Sequence, residues 1–210
     1  MTATLFELGF LQMPLGIGDI REVESGITDF VSAPAARGRL LGCWHAEIGK
    51  LNRTAVLRGF DTLAELTEER HRTLESDNPF GCASRLAHLT VRSYASVVDL
   101  PSLGPGTDGP IYEIRSYRVQ PGCLSQLKAE WSRAVRARAK LSRLLAVMYT
   151  LDGELTLTHL WAYRTFEDRA RVRALAVQDG NWPPKMGPEY LDGTSMETGL
   201  YVPAKMSPLQ

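Results

Sequence analysis

The chain repeats itself, and that repetition limits its folds more than any other feature. Leu5-Phe6-Glu7-Leu8 returns as Ile111-Tyr112-Glu113-Ile114 at an offset of 106 residues. Each sits at the centre of an alternating run that reads as a strand, over residues 4–13 and 110–119. Pro14-Leu15-Gly16 follows the first run and Pro121-Gly122 the second, both turns by composition. Ile20, Val23, Ile27, Phe30 and Val31 then space apolar groups along one helical face, and Leu124, Leu127, Trp131, Ala134 and Val135 repeat that spacing at an offset of 104. Gly59-Phe60-Asp61-Thr62-Leu63 matches Ala162-Tyr163-Arg164-Thr165-Phe166 at an offset of 103, each passing from strand to helix through a threonine that can cap. Asn78 meets Asn181 at the same offset. The small drift in offset needs only loop-length changes, which loops tolerate.

Each copy reads strand, helix, strand, strand, helix, strand. The spans are 4–13, 18–31, 39–48, 53–60, 61–76 and 86–98, then 110–119, 121–139, 144–151, 154–163, 165–177 and 195–202. This pattern predicts an N-terminal domain over 1–100 and a C-terminal domain over 110–210, joined by a Pro- and Gly-rich linker at 101–109. Two helices cover one face of a four-stranded antiparallel sheet. Apolar residues on the other face need a partner, and the nearest is the other copy. The expected class is α+β, two tandem ferredoxin-like βαββαβ units packed as an internal pseudo-dimer.

Composition excludes some partners. With 24 basic and 24 acidic side chains the formal charge is zero, so no electrostatic footprint points to nucleic acid or an anionic membrane. No stretch approaches the roughly 20 apolar residues that cross a bilayer. The opening Met1-Thr2-Ala3-Thr4-Leu5-Phe6-Glu7 has no basic n-region, which leads to the expectation of a cytoplasmic protein. Cys43, Cys82 and Cys123 match neither a disulfide framework nor zinc-ligand spacing and read as three free thiols.

Tyr112-Glu113-Ile114-Arg115-Ser116-Tyr117 with Pro121-Gly122, and His159-Leu160-Trp161-Ala162-Tyr163 leading into an Arg-rich helix from Arg169 to Arg173, resemble the NIPSNAP family pattern. So does the first-copy run from Gly42 through Trp44, His45 and Glu47 to Asn52. The resemblance implies a dimeric α+β barrel, in which two ferredoxin-like units press their open sheet faces together around a lumen. Relatives by that fold include cofactor-free monooxygenases, small-ring isomerases, cyclases and haem enzymes, so fold alone selects no chemistry. The copies also depart from each other. Arg58 stands opposite Trp161, Val56 opposite His159 and Gly9 opposite Arg115, which suits one asymmetric site.

Several residues could carry chemistry. Glu113, Arg115 and Tyr117 share one face of their strand, and Tyr112, Ile114 and Ser116 the other. The more polar face is expected to line the lumen. Arg115 could anchor an anionic ligand beside Glu113, or the two could form a structural pair. His159, Trp161 and Tyr163 share a face, where His159 could be a general base tuned by burial or a satisfied structural histidine. His45 and Glu47 could act as base and orienter, or lie at a solvated strand end before Gly49-Lys50. Trp44, in the same run, is a further candidate for ligand contact. His45, Glu47 and His159 could meet on a metal, but no ligand spacing supports one and no cofactor is implied.

Other features read as structural. Arg133, Arg136, Arg138, Lys140 and Arg143 suggest a solvated face at a helix end, and Glu167 with Arg171 an i,i+4 surface pair. Gly16-Ile17-Gly18 reads as a turn. The non-helical segment 181–190 is either a lid over one barrel end or a packed surface loop. The expected function is small-molecule chemistry in the lumen, in specialised (biosynthetic) or catabolic metabolism. The reaction would be a cofactor-independent isomerase, cyclase, dehydratase or monooxygenase type. The alternative is a non-catalytic module for a ligand or protein partner. An enzyme requires a roomy lumen, a scaffold a filled one, and further pairing of the tandem unit into a homodimer stays open.

Overall fold

A computed structural model describes residues 4–16, 19–100, 103–180 and 182–210. Ile17 and Gly18 of the early turn, Pro101 and Ser102 of the linker, and Asn181, the counterpart of Asn78, lie outside the described residues. The first repeat forms β1 (Leu5–Gln12), α1 (Ile20–Ser32), β2 (Arg39–Ile48), β3 (Arg53–Phe60), α2 (Leu63–Glu75) and β4 (His88–Ser96). The second forms β5 (Ile111–Arg118), α3 (Leu124–Arg138), β6 (Arg143–Thr150), β7 (Thr156–Tyr163), α4 (Phe166–Gln178) and β8 (Glu197–Pro203). The capping threonines act as their position suggests. Thr62 Oγ1 accepts from the Glu65 amide at 3.2 Å and Thr165 Oγ1 from the Asp168 amide at 3.0 Å, each satisfying a donor that the first helical turn leaves unpaired.

The eight strands close into one antiparallel barrel in the order β1-β3-β2-β8-β5-β7-β6-β4. Each repeat supplies four consecutive staves, and the edges meet where β2 pairs with β8 and β4 with β6. Closure removes the unpaired edges that a lone four-stranded sheet would present. Inside lies an apolar cluster drawn from all eight strands and from no helix, including Phe6, Leu8, Trp44, Leu57, Tyr94, Ile114, Met148, Leu160 and Tyr201. The Trp44 ring packs 5.1 Å from Tyr112, joining the repeats across the lumen. Gly42 permits this, because a Cβ there would overlap the Trp44 ring. One barrel end is corked by the chain itself. Leu209 belongs to the lumen cluster, Leu103 packs on it, and the Tyr112 hydroxyl donates to the Gln210 carbonyl at 3.1 Å.

The expected doubling of the sheet is therefore present, but the expected lumen site is not. Tyr112 and Ile114 point into the barrel, while Glu113, Arg115 and Tyr117 turn outward beneath α3 and α4. The physical reason is that the inner face joins the two sheets and has to be apolar, so the polar row is left to the helix side. Among the described residues no helix is long and apolar enough to cross a membrane.

Because both repeats bury one shared core, Trp44→Ala should destabilise the whole barrel by about 3–5 kcal/mol. Urea unfolding followed by far-UV circular dichroism and by fluorescence should move as one transition. Two separate transitions would mean that each half keeps a core of its own.

Candidate functional site

A cavity of about 280 Å³ lies between the outer face of the second sheet and helices α3 and α4. Two neighbouring strands build its floor. β5 presents Glu113, Arg115 and Tyr117, and β7 presents His159, Trp161 and Tyr163, with Glu113 registered opposite Trp161 and Arg115 opposite His159. The period of two puts each trio on one face, and the antiparallel register interleaves them. Helix α3 adds Trp131 and Arg138, and α4 adds Arg173. Trp182 closes the side, its ring 5.2 Å from Trp131 and 5.6 Å from Trp161 in edge-on contacts.

Charge in this space is unbalanced. The Glu113 carboxylate is fully buried and accepts from Arg169 Nη2 at 2.6 Å, with Arg115 Nη1 at 3.4 Å and Arg173 Nη1 at 3.6 Å. The Tyr163 hydroxyl donates to its other oxygen at 3.2 Å. Arg138, only 3% exposed, donates to Tyr163 Oη at 2.9 Å and stacks 4.2 Å from the Trp161 ring. One carboxylate thus faces four guanidinium groups. Among the described residues the Nε atoms of Arg115, Arg138 and Arg169 are buried with no hydrogen-bond partner, a costly state for a charged donor. Burial lowers the Arg138 pKa, and burial with the Glu113 charge pushes the Tyr163 phenol up to about 12.

His159 is the most enclosed ionisable group here. Burial, and the charges of Arg115, Arg138 and Arg173, hold its pKa well below the usual histidine value, so the ring is neutral at pH 7. Its tautomer follows from its neighbours. The indole Nε1–H of Trp161 can only donate, and it donates to Nδ1 at 2.6 Å. The ring proton therefore sits on Nε2, which donates to Tyr117 Oη at 3.2 Å. Three donors line up as indole, imidazole and phenol, with the Tyr117 O–H at the end of the row on the cavity wall. Both histidine nitrogens are occupied.

Six sequence candidates meet in this cavity: Glu113, Arg115, Tyr117, His159, Trp161 and Tyr163. The other three do not. Trp44 is a fully buried lumen residue. His45 lies on the first repeat's outer side, where Nε2 meets Glu24 at 2.9 Å and Nδ1 meets Thr54 at 2.9 Å, so its carboxylate partner comes from α1. Glu47 is exposed at the strand end. Among the described residues no three His, Cys, Asp or Glu side chains gather as a metal cluster. Arg138 corrects the expected solvated face: it falls seven residues after Trp131, two turns along the same buried side. Arg171 pairs with Asp168 at 2.6 Å in place of Glu167. Trp182 and Pro183 wall this outer cavity and do not lid a barrel end.

The NIPSNAP family model matches residues 19–97 and 112–208. The chain belongs to the NIPSNAP family. It is 27% identical over 168 residues to the protein NipSnap homolog of Dictyostelium discoideum, covering 79% of this chain and 75% of that one. With human protein NipSnap homolog 2 it shares 32% identity over 112 residues, 53% of this chain and 38% of the relative. The chain thus spans well under half the length of that vertebrate relative. In fold it is similar to a solved anthrone oxidase-like protein, with a TM-score of 0.64 at 12% identity over 97% of this chain and 93% of the other.

This NIPSNAP chain carries a second version of the site that is closed. In the first repeat Glu7 occupies the position of Glu113, and Arg58 that of Trp161. The Arg58 guanidinium pairs there with Glu7 and Glu69, all three groups buried. The Phe80 ring fills the room beside Gly9, where the second repeat has Arg115, and a Cβ on Gly9 would stand 3.3 Å from it. Burial outweighs Arg58 at Glu7 and raises its carboxyl pKa. One repeat thus neutralises its glutamate with an internal arginine, and the other moves the cations to the helices and leaves a cavity.

The neutral His159 links this site to stability. Its folded pKa lies below the unfolded value near 6.5, so below that pH the unfolded chain binds more protons and the fold loses stability, by up to about 1.4 kcal/mol per pH unit. Urea unfolding between pH 7.5 and 5.5 should show this loss, and His159→Gln should reduce its slope. An unchanged slope in the variant would mean that His159 takes up its proton freely in the fold.

Proposed function

We propose that the cavity of the second repeat binds a small, flat organic anion and that the protein acts on it as a cofactor-independent enzyme. The observation that carries this reading is the excess of guanidinium groups over carboxylate in a space walled by Trp131, Trp161 and Trp182. Arginine forks suit carboxylate or enolate oxygens, and indole faces suit a conjugated ring. The volume of about 280 Å³ is close to the lower end of the roughly 300–1,000 Å³ usual for ligand sites.

The chemistry follows from the direction of the hydrogen bonds. Trp161 donates to His159 and His159 to Tyr117, which strengthens the Tyr117 hydroxyl as a donor to a ligand carbonyl oxygen. With Arg115 close by, negative charge developing on that oxygen would be stabilised in place, as in an oxyanion hole. Stabilising an enolate-like anion is common to isomerisation, cyclisation, dehydration and cofactor-free oxygenation. The anthrone oxidase-like fold relative makes oxygenation of an aromatic ketone a natural first reaction to try. In this scheme Tyr117 is the catalytic donor and His159 its positioning residue, not a base.

A second reading, ligand binding without turnover, is favoured by the saturation of both His159 nitrogens. The two separate cleanly. Thermal-shift screening of aromatic carboxylates and phenolic ketones should give hits that stabilise wild type, and Arg115→Ala should weaken them by about 1–3 kcal/mol. Equal stabilisation of wild type and Arg115→Ala by every hit would reject the site. For a hit that is consumed, Tyr117→Phe should lower kcat on the order of 10²- to 10³-fold with little change in KM. If hits bind and none is ever transformed, the binding module stands and the enzyme falls.

A further inference from the structure

The barrel end opposite the C-terminal cork is open, and it is lined by charge. A basin of about 360 Å³ enters there, with Lys50, Arg53, Arg92 and Arg118 against Glu154 and Glu197. Two of the four cations are matched. Arg118 pairs with Glu154 at 2.6 Å and Asp192 at 3.1 Å, and Lys50 with Glu197 at 2.8 Å. Arg53 and Arg92 are different. Among the described residues neither lies within ion-pair distance of a carboxylate, though both feel the Glu197 charge: Arg53 donates to Gln12 Oε1 at 3.4 Å and lies 4.8 Å over the Phe10 ring, while Arg92 donates to Thr156 Oγ1 at 3.3 Å. Both are partly buried in the wall of the mouth.

The repeat shows that this is a built asymmetry. Strand pairing sets equivalent positions in the two copies, since Gln12 pairs with Arg53 as Arg118 pairs with Thr156, and Leu8 with Arg92 as Ile114 with Gly199. The first repeat therefore sends two arginines into the mouth where the second has a threonine and a glycine. Phe10 likewise faces Ser116 as its counterpart. The second repeat's part of the wall carries Ser116 and Thr156 together with Arg118, Glu154 and Glu197, and Arg92 Nη1 reaches over to donate to Thr156 Oγ1. Two arginines outside ion-pair distance of any described carboxylate, in a basin lined mostly by polar side chains, match a compact oxyanion and not a flat aromatic body.

We propose that the open mouth of the barrel is a second ligand site, in which Arg53 and Arg92 hold a phosphoryl or carboxylate group. It is distinct from the helix-side cavity, because β5 separates them: Ser116 faces the mouth, and its neighbours Arg115 and Tyr117 face away. Among the described residues only Met196, on the segment leading into β8, lines both spaces.

The test is calorimetric titration of the full chain with inorganic phosphate, pyrophosphate and citrate at fixed ionic strength and pH 7.5. The expected result is saturable binding of at least one probe, with Kd raised tenfold or more in Arg53→Gln/Arg92→Gln and unchanged in Arg115→Gln. Tighter binding of the phosphates assigns a phosphoryl group to the site and tighter binding of citrate a carboxylate, and either supports it. Should the double variant fail to fold, Arg92→Gln alone carries the same comparison. Absence of saturable binding by wild type, or equal Kd in wild type and the arginine variants, overturns the proposal. So does loss of binding in Arg115→Gln alone, which would put the anion in the helix-side cavity. Neither result bears on whether that cavity takes an aromatic ligand.

Discussion

The structure depends on one contact, the apolar face that each four-stranded sheet offers to the other. Neither repeat can bury this face with its own helices, because both helices already sit on the opposite side. Trp44 from one repeat and Tyr112 from the other meet inside the lumen, and all eight strands add to the cluster around them. Strand ladders at two joints complete the ring. The centre of the lumen is therefore spent on cohesion, and the two repeats are free to differ at its open mouth and, most of all, on their outer faces.

They differ through the same glutamate. Glu7 and Glu113 occupy equivalent positions beneath the helices, and a buried carboxylate has to be paired. In the first repeat Arg58 reaches it from the adjacent strand and fills the space with its own chain. In the second, Trp161 takes that strand position, and Arg169 and Arg173 reach in from α4. Cations that arrive from the helix side leave volume on the sheet side. A change in where the counter-charge is anchored thus turns a packed core into a cavity, with an excess of positive charge left facing it. Duplication permits this, because the closed copy buries its own charged groups in a packed core while the open copy varies.

Much of this was legible in the chain. The offset pairs located the first strand, the first helix and the junction of third strand and second helix in both repeats, the threonine caps marked two helix starts, and Arg58, Val56 and Gly9 flagged the positions where the copies part. Six of the nine candidate residues share one cavity, because residues two apart on paired strands are bound to share a face. Arg138 and Trp182 were not legible as pocket residues. An arginine among arginines at a helix end looks like surface, and a loop tryptophan has no periodicity to show where it packs. The partner of His45 was not legible either, since Glu24 is distant in sequence and lies on a helix whose rotation no local pattern reports.

The sequence by itself determined the duplication, the order of elements and which side chains stand together on a strand, since these follow from local spacing and the period of the backbone. Only the tertiary structure decided which of the two faces looks inward. Both faces of each sheet are covered, the inner by the other repeat and the outer by helices, so alternation of apolar and polar residues does not distinguish inside from outside. That choice rests on the summed packing of eight strands, and it moved Arg115, Tyr117 and His159 out of the lumen and under the helices.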